Sequence, residues 1–143
     1  MAHAEFVHLR VHTAYSLLEG ALRVGELVKL CQDNAMPALA MTDSGHLFGG
    51  MEFAGTCMKS GIQPIMGTAL AIRREGGSSG AFAGSGQGAR KPEPDRLVLL
   101  AANDTGYDNI SKLSSKAFLD TPAGETPQVS IADLETHAEG VIA

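Results

Sequence analysis

The stretch that decides the fold is residues 6–20, Phe6-Val-His-Leu-Arg-Val-His-Thr-Ala-Tyr-Ser-Leu-Leu-Glu-Gly20. Side chains of residues 5–11 fall on two alternating faces, which predicts a strand, and the strand runs into a loop that carries His12 and Glu19. A (β/α) barrel builds a metal site from His and carboxylate side chains that meet at its mouth, where the C-terminal ends of the strands lie. Arg10 interrupts this pattern, because a guanidinium has no lone pair to give to a metal. The stretch therefore has the layout of a metallohydrolase with one position that cannot be a ligand.

The rest of the chain alternates helical and strand-like patterns. Apolar spacing and capping residues predict helices at 21–34, from 47 to 58, after Asn103 or Asp104, and after Ser130. Apolar runs predict strands at 38–42, at 62–72 with interruptions at Pro64 and Gly67, at 97–101, and beginning at 141. This order predicts an α/β fold with parallel strands joined by crossover helices.

Composition excludes several classes of function. The chain has 143 residues, 44% of them hydrophobic, and a formal net charge of −5, which argues against a surface devoted to phosphate contacts. Without Trp and with only seven Phe and Tyr residues together, it has few platforms for stacking bases. An apolar run long enough to span a membrane and a secretory signal are both missing from the sequence. The two cysteines, Cys31 and Cys57, are expected to be reduced thiols, and we expect a cytoplasmic protein.

The segment 75–95 is rich in Gly, and we expect a flexible loop there. Its Gly84–Gly88 run does not predict a phosphate-binding loop, because no Lys-Ser or Lys-Thr pair follows it. Basic pairs at Arg73-Arg74 and Arg90-Lys91 flank the loop. They leave open direct contact of this chain with DNA.

Polar side chains follow the first predicted strands, and in a barrel they meet at one end. His12, Glu19, Asp43 and His46 could therefore converge, and imidazole with two carboxylates is a ligand set for Zn or Mn that would activate water. The alternative is structural. Asp43 and Ser44 would then cap the following helix, and His12 would hydrogen-bond within the mouth.

Several blocks of the sequence, in order, resemble the N-terminal PHP (polymerase and histidinol phosphatase) domains of bacterial DNA polymerase III alpha subunits. The blocks are His8-Leu-Arg-Val-His-Thr-Ala-Tyr-Ser-Leu-Leu-Glu-Gly20, Met36-Pro-Ala-Leu-Ala-Met-Thr-Asp43, Leu47-Phe-Gly49, Gly61-Ile-Gln-Pro-Ile-Met-Gly67 and Leu97-Val-Leu-Leu-Ala-Ala-Asn-Asp-Thr-Gly-Tyr-Asp-Asn-Ile-Ser-Lys-Leu113. The resemblance implies part of a distorted (β/α)7 barrel. It also implies that residues 1–143 are the N-terminal portion of a PHP domain, with later barrel strands and the polymerase domains outside the chain.

The resemblance also implies which ligands are lost. The family's His-x-His motif is replaced by Arg10-Val-His12, its Thr-Asp-His-Gly motif has Ser44 in place of His, and its Glu after Gly-x is Ala69. His12, Glu19 and Asp43 remain as vestigial metal positions, and no catalytic residue is expected in this chain. We expect the guanidinium of Arg10 to lie near Asp43 or Glu19 and to substitute electrostatically for a missing cation.

The function implied by the resemblance has two levels. The parent protein would be a DNA-directed DNA polymerase that uses Mg and contacts DNA, and this chain would be a catalytically degenerate scaffold with no bound cofactor. Its implied partners are the proofreading exonuclease subunit and other replicase subunits, with no membrane. The alternative is an active PHP domain, a phosphoesterase or 3'-5' exonuclease that binds Zn or Mn.

Overall fold

The computed structural model describes residues 3–73 and 94–143. Helices and strands alternate along these residues. In chain order they are α1 Val24–Asp33, β1 Ala38–Ser44, α2 Gly50–Lys59, β2 Gln63–Ile72, β3 Asp95–Ala101, α3 Asp104–Asp120, β4 Gln128–Val129, α4 Ile131–Thr136 and β5 Val141–Ile142. Most of the Gly-rich segment, with Arg74, Arg90 and Lys91, lies outside the described residues, so the expected flexible loop is not described.

The parallel pair predicted from the sequence is formed by β1 and β2. Ala38 pairs with Gln63 and Ser44 with Ala69 at the two ends of the ladder, and α2 makes the crossover. Residues 39–43 of β1 are all buried, as expected of a strand covered on both faces. The α/β class with a parallel pair is confirmed.

The sheet as a whole is mixed. Its strand order is β1-β2-β3-β5, and the short β4 pairs with the end of β2. Strand β3 runs antiparallel to β2, since Ile72 pairs with Asp95 and Gly67 with Leu100. The start of β3 lies beside the end of β2, so the two paired strands run in opposite directions. Strand β5 is antiparallel to β3.

The prediction of a first strand at 5–11 is wrong as regular structure. The segment lies beside β1, where the Ala40 amide donates to the His8 carbonyl (2.9 Å) and the Thr42 amide donates to the Val11 carbonyl (2.8 Å). The Val11 amide, however, donates to the Thr42 hydroxyl at 2.9 Å, so a side chain takes the place of a ladder carbonyl. This substitution prevents a regular ladder and leaves an extended segment.

The expected interruptions of the third strand are also absent. Strand β2 runs through both Pro64 and Gly67. Gly67 is needed for close approach, because a Cβ there would lie 2.4 Å from the carbonyl oxygen of Leu99 on β3. Residues 66–69 lie within β2.

Two apolar clusters hold the sheet between helices. One packs α1 and α2 on β1 and includes Val28, Leu39 and Phe53. The other packs α3 on the β2–β3 face and includes Leu99 and Leu113. No helix in the described part of the chain combines the length and apolarity needed to cross a membrane.

Candidate functional site

The loop 12–20 is fastened to the end of β1 by one buried carboxylate. Asp43 is 0% exposed. It accepts hydrogen bonds from the Thr13 amide (2.6 Å), the Thr13 hydroxyl (2.7 Å) and the Ser16 hydroxyl (2.7 Å). Both carboxylate oxygens have donors, so the burial of this charge is compensated inside the loop. Asp43 therefore acts as a structural acceptor in this arrangement.

Glu19, at the far end of the loop, contacts the sheet. Its carboxylate accepts a hydrogen bond from the Ser44 hydroxyl and forms an ion pair with Nη1 of Arg96 at 2.7 Å. The same Nη1 lies 3.3 Å from Ser44 Oγ. The Ser44 hydroxyl, and after it the Arg96 guanidinium, hold the pKa of Glu19 below its usual range. Glu19 is therefore ionised at neutral pH.

His12 lies at the edge of the same group. Its Nδ1 is 3.7 Å from Oε2 of Glu19, and this buried nitrogen has no hydrogen-bond partner among the described residues. We call His12, Glu19, Ser44 and Arg96 together the Glu19 cluster. It places an imidazole, a carboxylate, a hydroxyl and a guanidinium at the end of β1.

The structure brings together only part of the predicted set. His12, Glu19 and Asp43 all belong to the loop or the strand end that it joins. Among the described residues no hydrogen bond or ion pair joins His46 to the Glu19 cluster, and its ring stacks on Phe48 with centroids 4.2 Å apart.

The expected position of Arg10 is wrong. Its side chain is exposed, and the arginine that pairs with Glu19 is Arg96. Within residues 3–73 and 94–143, the donors to the Asp43 carboxylate come from Thr13 and Ser16. The extended segment 5–11, which carries Arg10, lies along the edge of β1 opposite to β2.

Arg96 is the functional residue that the sequence analysis missed. It lies on β3, 77 positions from Glu19 in sequence, so no local pattern connects the two. The available signal was a charged pair, Asp95 and Arg96, at the start of a strand whose other residues are apolar. Only the β2–β3 register shows where that arginine lies.

Residues 8–143 match the sequence model of the PHP domain. The chain belongs to the PHP domain family. It is also 42% identical over 137 residues to DNA polymerase III subunit alpha of Caulobacter vibrioides, covering 96% of this chain and 11% of that protein. The same subunit of Pasteurella multocida is 37% identical over 142 residues, covering 99% of this chain and 11% of that protein. The chain thus spans about a tenth of the length of the curated relatives that it matches.

A solved structure supports the fold of this PHP domain. It comes from Bifidobacterium adolescentis and is named as a candidate metal-dependent phosphoesterase. Its TM-score is 0.52 at 14% sequence identity, covering 81% of this chain and 34% of that one. At this identity the likeness concerns the fold alone.

The donor set of this PHP domain does not fit a divalent ion as it is arranged. Each oxygen of Asp43 and Glu19 already accepts a hydrogen bond, and an ion bound at Glu19 would lie beside the positive charge of Arg96. Within residues 3–73 and 94–143, no three His, Cys, Asp or Glu side chains are grouped so that they could hold a metal. Ser44 and Ala69, two of the lost-ligand positions, are cross-strand partners on β1 and β2.

Proposed function

We propose that this PHP domain is part of a DNA polymerase III alpha subunit of a bacterial replicase, and that within it the domain is a scaffold and not a hydrolase. The identity to alpha subunits over nearly the whole chain supports the first part. The second part rests on one observation: the carboxylates at the vestigial positions are committed to donors within the chain. In this proposal DNA synthesis with Mg belongs to residues outside this chain, in the cytoplasm.

Metal analysis of the purified full-length protein tests the scaffold proposal. We expect Zn and Mn to be far below one ion per chain after gel filtration without chelator, and brief chelation to leave the unfolding midpoint unchanged. The proposal would be refuted if the parent carried one Zn or Mn ion per chain and the Asp43→Asn variant did not. His137→Gln, at the end of α4 and away from the Glu19 cluster, is the matched control.

The proposed partner is the proofreading exonuclease subunit, with other replicase subunits around it. The support from the structure is a set of large apolar side chains around the end of β1, where Tyr15 packs against Gly49. Leu17, Leu18, Phe48 and Met51 are all exposed there. Exposed apolar groups of this size are common at protein–protein interfaces.

Binding measurements with the exonuclease subunit test the docking proposal. We expect Leu18→Asp to weaken binding at least tenfold, because it places a charge among apolar contacts. Met58→Asp, on the exposed side of α2, should bind like the parent. Absence of binding to the parent, or equal binding of both variants, would contradict docking at this surface.

A second candidate function is a metal-dependent phosphoesterase. The observation that favours it is the unpartnered Nδ1 of His12 beside Glu19. If this activity existed, Mn-dependent hydrolysis of a model phosphodiester would occur in the full-length protein and would be lost in His12→Gln. Hydrolysis that is absent, or that His12→Gln leaves intact, would exclude this candidate.

A further inference from the structure

Arg96 reaches the Glu19 cluster from two strands away. Its Cα pairs with Ala71 on β2, whereas Ser44 on β1 pairs with Ala69. Ala69 and Ala71 point to the same face of β2, because side chains alternate along a strand. The Arg96 side chain therefore crosses β2 where its two neighbours carry only methyl groups.

The small side chain at position 69 is what leaves this path open. A carboxylate there would lie on the same face, next to Ser44 and close to the guanidinium. With Ala69 the guanidinium reaches both the carboxylate of Glu19 (2.7 Å) and the hydroxyl of Ser44 (3.3 Å). Its positive charge lies where it opposes any other cation at Glu19.

We propose that Arg96 is a built-in cation that competes with divalent metal ions for the oxygens of Glu19, so that a latent metal site is held closed by an intramolecular ion pair. The inference concerns how the site is closed, and it holds whether or not the domain docks a partner. It differs from simple loss of ligands, because ligands still remain behind the guanidinium.

The remaining ligands are defined by the structure. Nδ1 of His12 is buried without a partner, 3.7 Å from Oε2 of Glu19. With the guanidinium removed, Oε1 of Glu19 loses its ion-pair partner. An imidazole nitrogen and a carboxylate oxygen are two ligand types that Zn²⁺ accepts, one fewer than the three protein ligands of an ordinary catalytic zinc site.

Arg96 is also positioned to be removed without loss of the core. Its side chain is 51% exposed, and it belongs to neither apolar cluster. Arg96→Met keeps most of the aliphatic length across Ala69 and Ala71 while it removes the charge.

Calorimetric titration of the untagged full chain with Zn²⁺ alone tests the inference. We expect Arg96→Met to bind Zn²⁺ at least tenfold more tightly than the parent, and the added change Glu19→Gln to abolish this gain. Arg10→Met is the matched control, since it removes an exposed arginine near the same loop, and it should titrate like the parent. Unchanged Zn²⁺ affinity in folded Arg96→Met, or a gain that persists with Glu19→Gln, would overturn the proposal.

A charge exchange guards against a folding defect in the single variant. The double variant Arg96→Glu with Glu19→Arg restores an opposite pair, and we expect it to unfold within a few degrees of the parent. It should show no gain in Zn²⁺ binding, because the arginine still neutralises the remaining carboxylate. A Zn²⁺ affinity of this double variant equal to that of Arg96→Met would also contradict the proposal that the ion pair holds the site closed. Neither result bears on whether the full-length protein carries Zn or Mn as purified.

Discussion

At the scale of single residues, Asp43 is most simply understood as the acceptor that organises a loop. Three donors from Thr13 and Ser16 converge on its carboxylate, and both of those residues are buried. A buried carboxylate with this many donors stabilises the fold only while all the partners are present. Removal of the acceptor would leave one amide and two hydroxyls buried without a hydrogen-bond acceptor.

We therefore predict that Asp43→Ala lowers the free energy of unfolding by about 3–4 kcal/mol, because the buried donors lose their acceptor. Urea unfolding followed by circular dichroism measures this. Asp108→Ala on the exposed side of α3 is the control and should change stability by less than about 0.5 kcal/mol. Similar losses in the two variants would show that the hydrogen bonds to Asp43 contribute little.

Glu19 gives a prediction about pH. Its pKa is lowered in the folded state, chiefly by the Ser44 hydroxyl and then by Arg96. The sign follows from linkage: the stabilisation is full above the unfolded-state pKa and is lost as the pH falls through the folded-state pKa. Because Glu19 is 33% exposed, the stabilisation is discounted to less than about 1 kcal/mol.

The measurement is the difference in unfolding free energy between the parent and Glu19→Gln. We expect a difference in favour of the parent near pH 7 that is lost on acidification below the unfolded-state pKa, as the carboxyl of Glu19 in the folded protein becomes protonated. Glu5→Gln, at an exposed glutamate in the N-terminal segment, is the matched control in the same measurement. A difference for Glu19→Gln that grows on acidification would contradict the assigned contacts.

The residues show how far a sequence can predict a site. The loop from His12 to Glu19 and its closeness to Asp43 follow from the order of elements, because both lie at one end of adjacent segments. Arg96 could not be predicted, since its contact with Glu19 depends on the antiparallel register of β2 and β3. The cation expected beside Glu19 was Arg10, whereas the arginine that pairs with this carboxylate is Arg96.

At the scale of elements, apolar spacing predicted the helices and the parallel pair, and capping residues located helix starts. Asn103 accepts from the Gly106 amide at 2.9 Å, and Ser130 forms the expected capping box with Asp133. The misplaced first strand has a physical cause that periodicity does not contain, namely a hydroxyl that replaces a carbonyl in the ladder. Antiparallel pairing is likewise set by how the chain returns, and not by the pattern of either strand.

Two helical glycines are expected to change stability in opposite directions when they are replaced by alanine. A Cβ on Gly106 of α3 would lie 1.8 Å from the carbonyl oxygen of Gly140, whereas a Cβ on Gly55 of α2 meets nothing within 4 Å. The Gly140 carbonyl also accepts from the Ala102 amide at 2.9 Å, so it cannot simply move away. Gly106 is therefore a contact between elements, and Gly55 is only a flexible position in a helix.

We predict that Gly106→Ala destabilises the fold by about 1–3 kcal/mol through this clash. Gly55→Ala should stabilise it by about 0.5–1 kcal/mol, because Ala loses less backbone entropy in a helix than Gly. Thermal unfolding of both variants with the parent measures the two signs. Stabilisation by both changes would mean that the turn at Gly140 does not pack against α3.

At the scale of the whole molecule, the two apolar clusters lie on different helices but share the central sheet. The first contains both cysteines, and burial raises the pKa of Cys57 to about 11, with a smaller contribution from the nearby Cys31. Burial likewise raises the pKa of Cys31. The thiolate is the reactive form, so both groups are protected by burial and by protonation. They therefore report on opening of this cluster.

We predict that a thiol reagent at pH 8 modifies Cys31 and Cys57 only through opening of the α1–α2 cluster, and at least a hundredfold more slowly than an engineered surface thiol in Ser115→Cys. Mass spectrometry of the labelled peptides gives the rate at each position. Because Cys31 and Cys57 belong to one cluster, their rates should rise together with urea and with the same dependence on its concentration. Fast labelling of one cysteine while the other stays protected would show that α1 or α2 opens separately, and the cluster would then not be one cooperative unit.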